Sequence, residues 1–156
     1  MKLLNLDSLS PEFIWQDSLG LITKSLGAAA GSSKIYVNID SVPQGGYSTK
    51  YHSHSQQEEF FLVIDGAGVL RLNDETVTVK KGDFIAKPGG RKIAHTFYNP
   101  GPDPLTILDV GSNEAEDTCY YPDEDVYLHK SNGVSRAYRG ETVDAAWSSE
   151  PNRELE

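Results

Sequence analysis

The chain has 156 residues, 38% of them hydrophobic, enough for one core and too few for two comfortable domains. Its 23 acidic against 14 basic residues give a net charge of −9, which repels a phosphate backbone or an anionic membrane surface and argues against nucleic acid as a partner. Cys119 is the single cysteine, so neither an intrachain disulfide nor a thiolate cluster for zinc is available, and no stretch approaches the length of a membrane-spanning helix.

Residues 1–10 lack the apolar run of a secretory signal, and a soluble cytoplasmic protein is the expectation. Residues 11–31 include a leucine-containing stretch and Ala28-Ala-Ala-Gly31, for which a short helix and an irregular cover both stay open. From Ser33 to about Val110 the pattern is period-two alternation broken by Gly, Pro and Asn-Asp, the rhythm of an antiparallel all-β domain. The expected strands are 34–39, 48–54, 59–64, 69–72, 76–79, 84–87, 94–98 and 105–110. Both alternating sets of 59–64 are largely apolar, which predicts cover on both faces. Asn73-Asp74-Glu75 predicts a hairpin, and Lys81-Gly82-Asp83 another turn. Beyond Asp117 the chain turns polar and its last residues read as frayed. The expected organisation is one domain, with a cover segment at 1–32, a β-barrel at 33–117, and an arm with a polar tail at 118–156. Closure of the barrel would remove the exposed edges of so narrow a sheet.

Three of the four histidines fall in two stretches whose spacing suits a metal site. His52 and His54 are one residue apart, so in a strand both imidazoles project from one face. Glu59 follows across the polar turn 55–58, and His95 begins a later strand. Three imidazoles and a carboxylate suit one divalent transition metal (manganese, iron, nickel, cobalt or zinc) and leave roughly two positions of an octahedral ion open. Glu58 is the competitor of Glu59, but neighbours in a strand face opposite ways, and the spacing to Gly66 favours Glu59. Alternation also puts Lys50 on the histidine face, as a candidate catalytic proton donor, with Tyr51 pointing away. Arg91 and Lys92, in the loop before His95, are candidates for binding an anionic substrate. His129, in the polar C-terminal part, reads as exposed.

The stretch Gly46-YSTKY-His52-Ser-His54-SQQE-Glu59-FFLVID-Gly66 is similar to the first motif of the cupin superfamily, and Gly82-DFIAK-Pro88-Gly-Gly90 with His95-TFY-Asn99 resembles the second. The second departs from the usual spacing: four residues, Arg91-Lys-Ile-Ala94, stand where two are usual. The resemblance implies the cupin double-stranded β-helix, a jelly-roll β-barrel, with short N- and C-terminal extensions and a metal held by His52, His54, Glu59 and His95. A mostly uncharacterised group of small bacterial cupins is similar further, through the segment Tyr121-Pro-Asp-Glu-Asp125; some of its members carry the label sugar-phosphate isomerase. It implies a metal-dependent enzyme on a small polar molecule, with a non-catalytic ligand-binding cupin and an iron-dependent dioxygenase as the alternatives. A homodimer is expected, because the doubly apolar strand needs cover.

Overall fold

In the computed structural model, residues 3–13 and 22–151 are described. The residues that could decide between helix and irregular cover are partly outside them, but Leu26–Ala30 is a short helix, α1, closed by Gly31 in the left-handed conformation. Before it lie β1 (Glu12–Phe13) and β2 (Ile22–Ser25); after it come β3 (Ile35–Val42), β4 (Ser53–His54), β5 (Glu59–Asp65), β6 (Ala67–Leu72) and β7 (Glu75–Lys80). Then follow β8 (Phe84–Lys87), β9 (His95–Tyr98), β10 (Leu105–Ser112), β11 (Glu116–Tyr121), β12 (Val126–Ser131), β13 (Val134–Arg139) and β14 (Thr142–Val143).

The strands form three antiparallel sheets, ordered β1-β2-β3-β10-β5-β8, β7-β6-β9 and β14-β13-β12-β11-β4. This is an all-β jelly roll, but among the described residues its sheets stay separate and do not join into one closed hydrogen-bonded barrel. The main core lies between the first two sheets. Val42, Phe61, Val63, Leu105 and Ile107 from one meet Leu70, Val79 and Phe97 from the other. Phe61 and Val63 are two residues apart in β5 and so point the same way. The opposite face of β5 is less covered than its apolar pattern predicts. Phe60 is 37% exposed and stacks on Phe84, itself 68% exposed, at 6.0 Å between ring centroids.

The expected strand at 48–54 is mostly not a strand. Tyr47 and His52 make isolated bridges to Tyr98 and His95 of β9, whereas Ser53 and His54 pair with Tyr120 and Cys119 of β11. The segment leaves the edge of one sheet and joins another, so no single pleat runs through it. The hairpin between β6 and β7 turns on Asn73 and Asp74, both with positive φ (48° and 65°), as the turn chemistry predicts. Asn99 explains the end of the second motif. It is fully buried, its amide donates to the carbonyls of Val42 and Asp103 at 2.9 Å each, and its side-chain oxygen accepts from Gly101 N–H.

The largest difference from the sequence reading is C-terminal. Residues 116–143 form β11 to β14, with a small core of Cys119, Tyr121, Val126 and Ala137. The lengthened loop before His95 is anchored at both ends. Gly90 N–H donates to His54 C=O at 3.2 Å, and Asn73 N–H donates to Ala94 C=O at 3.0 Å. Gly89 packs so closely here that a Cβ would lie 2.1 Å from the carbonyl oxygen of Gln56. Gly89→Ala is therefore expected to cost about 1–3 kcal/mol, the range for overpacking, in urea denaturation.

Candidate metal centre

His52, His54 and Glu59 come together from two directions. Cross-strand hydrogen bonds between His52 and His95 (3.0 and 3.2 Å) hold the first, pairing with Cys119 holds the second, and the start of β5 carries the third. All three are buried, with ligand atoms within 4.8 Å of one another. Glu58 is exposed, so the choice between the two glutamates falls where strand alternation puts it.

The imidazoles are held by their outer nitrogens. Nδ1 of His52 donates to the Lys50 carbonyl at 2.7 Å, which leaves Nε2 as a bare lone pair. Nδ1 of His54 faces Oδ2 of Asp117 at 2.5 Å, and the other carboxylate oxygen of Asp117 accepts from Ser55 Oγ (3.1 Å) and Gln56 N–H (2.9 Å). The two Nε2 atoms are 2.9 Å apart, and His54 Nε2 is 3.4 Å from Glu59 Oε1. Two nitrogen lone pairs and a carboxylate oxygen at this separation repel unless a cation lies among them, either a proton or a metal ion.

In the ion's absence the proton belongs on His54. Burial opposes it, but hydrogen bonds to Asp117, Cys119 and Glu59 outweigh burial and carry its pKa up to about 10. Burial, together with the neighbouring His95, His54 and Lys87, pushes His52 well below the ordinary histidine value. Glu59 lies well below the usual carboxylate range: burial would raise it, but His54, His95 and Lys87 prevail. A metal ion must displace the His54 proton. Uptake is thus expected to release about one proton at pH 7, and apparent affinity to rise roughly tenfold per pH unit towards pH 10, as measured by metal titration in buffers of different pH. In the metal-free protein, His54 stabilises the fold fully below pH 6.5 and loses that contribution as pH rises through about 10. The depressed Glu59 acts in the opposite sense, contributing above its ordinary range and failing in acid.

His95 lines the same cavity, 1% exposed, with its ring 5.0 Å from that of His52. Its Nδ1, however, is 2.6 Å from Nζ of Lys87, which also lies 2.5 Å from Glu59 Oε2. If the Lys87 ammonium donates to Nδ1, the proton of neutral His95 sits on Nε2. His95 therefore stands beside the triad of ligand atoms, tied to a lysine. Burial and Lys87 lower its pKa to about 3.

Lys50 does not line the histidine cavity. Its ammonium is 2.6 Å from Glu124 Oε1 and lies over the Trp147 ring, because the interruption of the strand at 47–52 removes the alternation that would aim it inward. Arg91 and Lys92 are exposed in the loop, Lys92 with φ of 56°. His129 is exposed on β12.

Sequence reasoning missed several residues of the cavity, which has a volume of about 320 Å³. Tyr36, Asp40, Asp109, Gln57 and Lys130 line it with the histidines. The Tyr36 hydroxyl is 3.0 Å from Asp109 Oδ1 and 3.1 Å from Glu59 Oε1, and Gln57 Nε2 donates to Glu59 at 3.2 Å. Burial raises Asp40 to about 6, and burial with Asp40 and Glu59 nearby pushes Asp109 well above its ordinary value, so both hold a proton more firmly than an exposed carboxyl group does. Lys87 had a usable signal, since it has the parity of Ile85 in β8 and stands opposite Glu59. Asp117 had none, being 63 residues from His54.

The family model of the cupin domain matches residues 38–111, which contain His52, His54, Glu59 and His95. This segment is a cupin domain. A structure of a sugar phosphate isomerase from a cupin superfamily, from Silicibacter pomeroyi, is 29% identical with a TM-score of 0.82, covering 90% of this chain and 94% of that one. Among curated relatives, the uncharacterized protein MJ1618 of Methanocaldococcus jannaschii is 40% identical over 89 residues, 57% of this chain and 60% of that protein. Mannose-1-phosphate guanylyltransferase 2 of Escherichia coli O157:H7 is 30% identical over 88 residues, 56% of this chain and 16% of its own length. The chain matches less than two thirds of either curated relative. No helix among the described residues is long and apolar enough to cross a membrane.

Proposed function

We propose that the cupin domain holds one divalent transition metal through His52, His54 and Glu59, with His95 as the fourth donor once its Nε2 proton has given way to the ion, and isomerises a small sugar or sugar phosphate. The observation that carries this reading is the convergence of two Nε2 atoms and a carboxylate oxygen, each fixed from behind by a hydrogen bond or a neighbouring charge. A bound ion supplies Lewis acidity for a carbonyl or hydroxyl oxygen. The cavity supplies the rest. Tyr36, Asn38 and Gln57 offer hydrogen bonds to hydroxyl groups, and the carboxyl pair of Asp40, titrating at about 6, and Asp109, raised by burial, is suited to take a proton from one substrate carbon and return one to its neighbour. The name of the Silicibacter relative supports the same substrate class. The ligand set is equally compatible with an iron-dependent dioxygenase, but the pair of carboxyl groups with raised pKa favours proton transfer.

The test is elemental analysis of protein purified without added metal, followed by incubation with aldose and ketose phosphates in D2O under NMR. About one equivalent of a transition metal, with deuterium entering at the carbon next to the carbonyl, is expected. Metal without exchange of any substrate would leave a ligand-binding cupin. Absence of metal would end the catalytic reading.

A further inference from the structure

The histidine cavity opens into a larger one of about 730 Å³, walled by the C-terminal sheet and by Tyr121 and Trp147. Three residues line both: Thr49, His52 and Lys130. His52 thus forms the wall between the two spaces, and the other two stand at its side.

Both of these are uncommitted. The Thr49 hydroxyl is buried with no hydrogen-bond partner among the described residues, a state that costs free energy unless something outside the protein satisfies it. Its backbone carbonyl is already taken by Thr96 Oγ1 at 2.6 Å. Lys130 is the one lysine or arginine that lines the histidine cavity, and no carboxylate among the described residues lies within ion-pair distance of it. Of the other cations near it, Lys50 has Glu124, Lys87 has Glu59 and Arg139 has Asp144, whereas Arg136 lines the larger cavity but not the histidine cavity. Lys130 shares the inner face of β12 with Val126 and Leu128, so strand alternation aims it at the cavities. Arg136 alternates to the opposite face of β13 from Ala137.

The polarity of the two spaces gives an orientation. Glu59, Asp40 and Asp109 line the inner cavity, where an anion would meet carboxyl groups. We infer that Thr49 and Lys130 form an oxyanion subsite at the junction, which takes the phosphate of a small phosphate ester while its uncharged hydroxyl or carbonyl end faces His52 and the carboxyl groups. This deepens the isomerase reading by placing the charged end of its substrate, and it moves that role from Arg91 and Lys92 to the C-terminal sheet.

The test is calorimetric titration of the purified protein with inorganic phosphate and with glycerol 3-phosphate, for the wild type, Lys130→Ala, Lys130→Arg and Lys92→Ala, with metal content measured on each. Lys130→Ala is expected to weaken both ligands roughly tenfold or more, the arginine variant to restore binding, and Lys92→Ala to bind as wild type, all with metal content unchanged. Equal phosphate affinity in Lys130→Ala, including capture by the metal alone, would overturn the subsite, as would a wild type that shows no saturable binding. Phosphate binding that depends on Lys130 in protein without metal would uphold the subsite and remove the metal reading instead.

Discussion

Glu59→Gln is expected to abolish metal loading and to destabilise the protein by about 3–5 kcal/mol, the cost of removing one member of a buried ion pair. Lys87 is 1% exposed and its ammonium sits 2.5 Å from the Glu59 carboxylate, with His95 as the other neighbour. Without Glu59 the charge has no carboxylate in ion-pair contact among the described residues. Burial already lowers the Lys87 pKa, so part of the loss is recovered by shedding its proton, and the deficit should shrink as pH rises. The double variant Glu59→Gln/Lys87→Met separates the two roles. It should regain most of the stability in urea denaturation, because the ammonium left without its carboxylate is gone, yet bind no metal. A single Glu59→Gln variant that kept a full equivalent of metal would remove Glu59 from the ligand set.

Asp117→Asn should weaken metal binding by about 10–100-fold, the usual effect of removing the carboxylate behind a ligand histidine. Asp117 makes His54 keep its proton on Nδ1 and turn a bare Nε2 inward. An asparagine can keep its oxygen on Ser55 and Gln56, which presents its NH2 group to His54 and drives the imidazole proton to Nε2, where it blocks the ion. The same change removes a large part of what raises the His54 pKa to about 10. The rise of metal affinity between pH 7 and pH 10 should therefore flatten in Asp117→Asn. A structural role alone would lower stability and leave that pH profile intact.

Much of the cupin domain was legible because its information is local. The strand at 84–87 lies where its alternation ended, and the hairpin between β6 and β7 turns on the two residues whose type tolerates positive φ. Glu59 was separable from Glu58 by parity alone. The same parity argument failed for Lys50, because it assumed one continuous strand across a segment that bridges two sheets. Residues 118–143 looked like a tail for a related reason. In β12 and β13 only Val126 and Ala137 are fully buried, so their alternation carries too little apolar contrast to be read as strands.

By itself the sequence determined the all-β class, the turn positions and the candidate metal donors, since each follows from alternation, turn chemistry or the donor atoms of the residues within a short window. Tertiary structure decided which groups those donors meet. Asp117 behind His54, Lys87 between Glu59 and His95, and Lys130 rather than Lys50 on the wall of the histidine cavity are all set by strand pairing and sheet packing between distant segments. The charge, tautomer and reach of the site depend on those pairings, and nothing within a short stretch of chain encodes them.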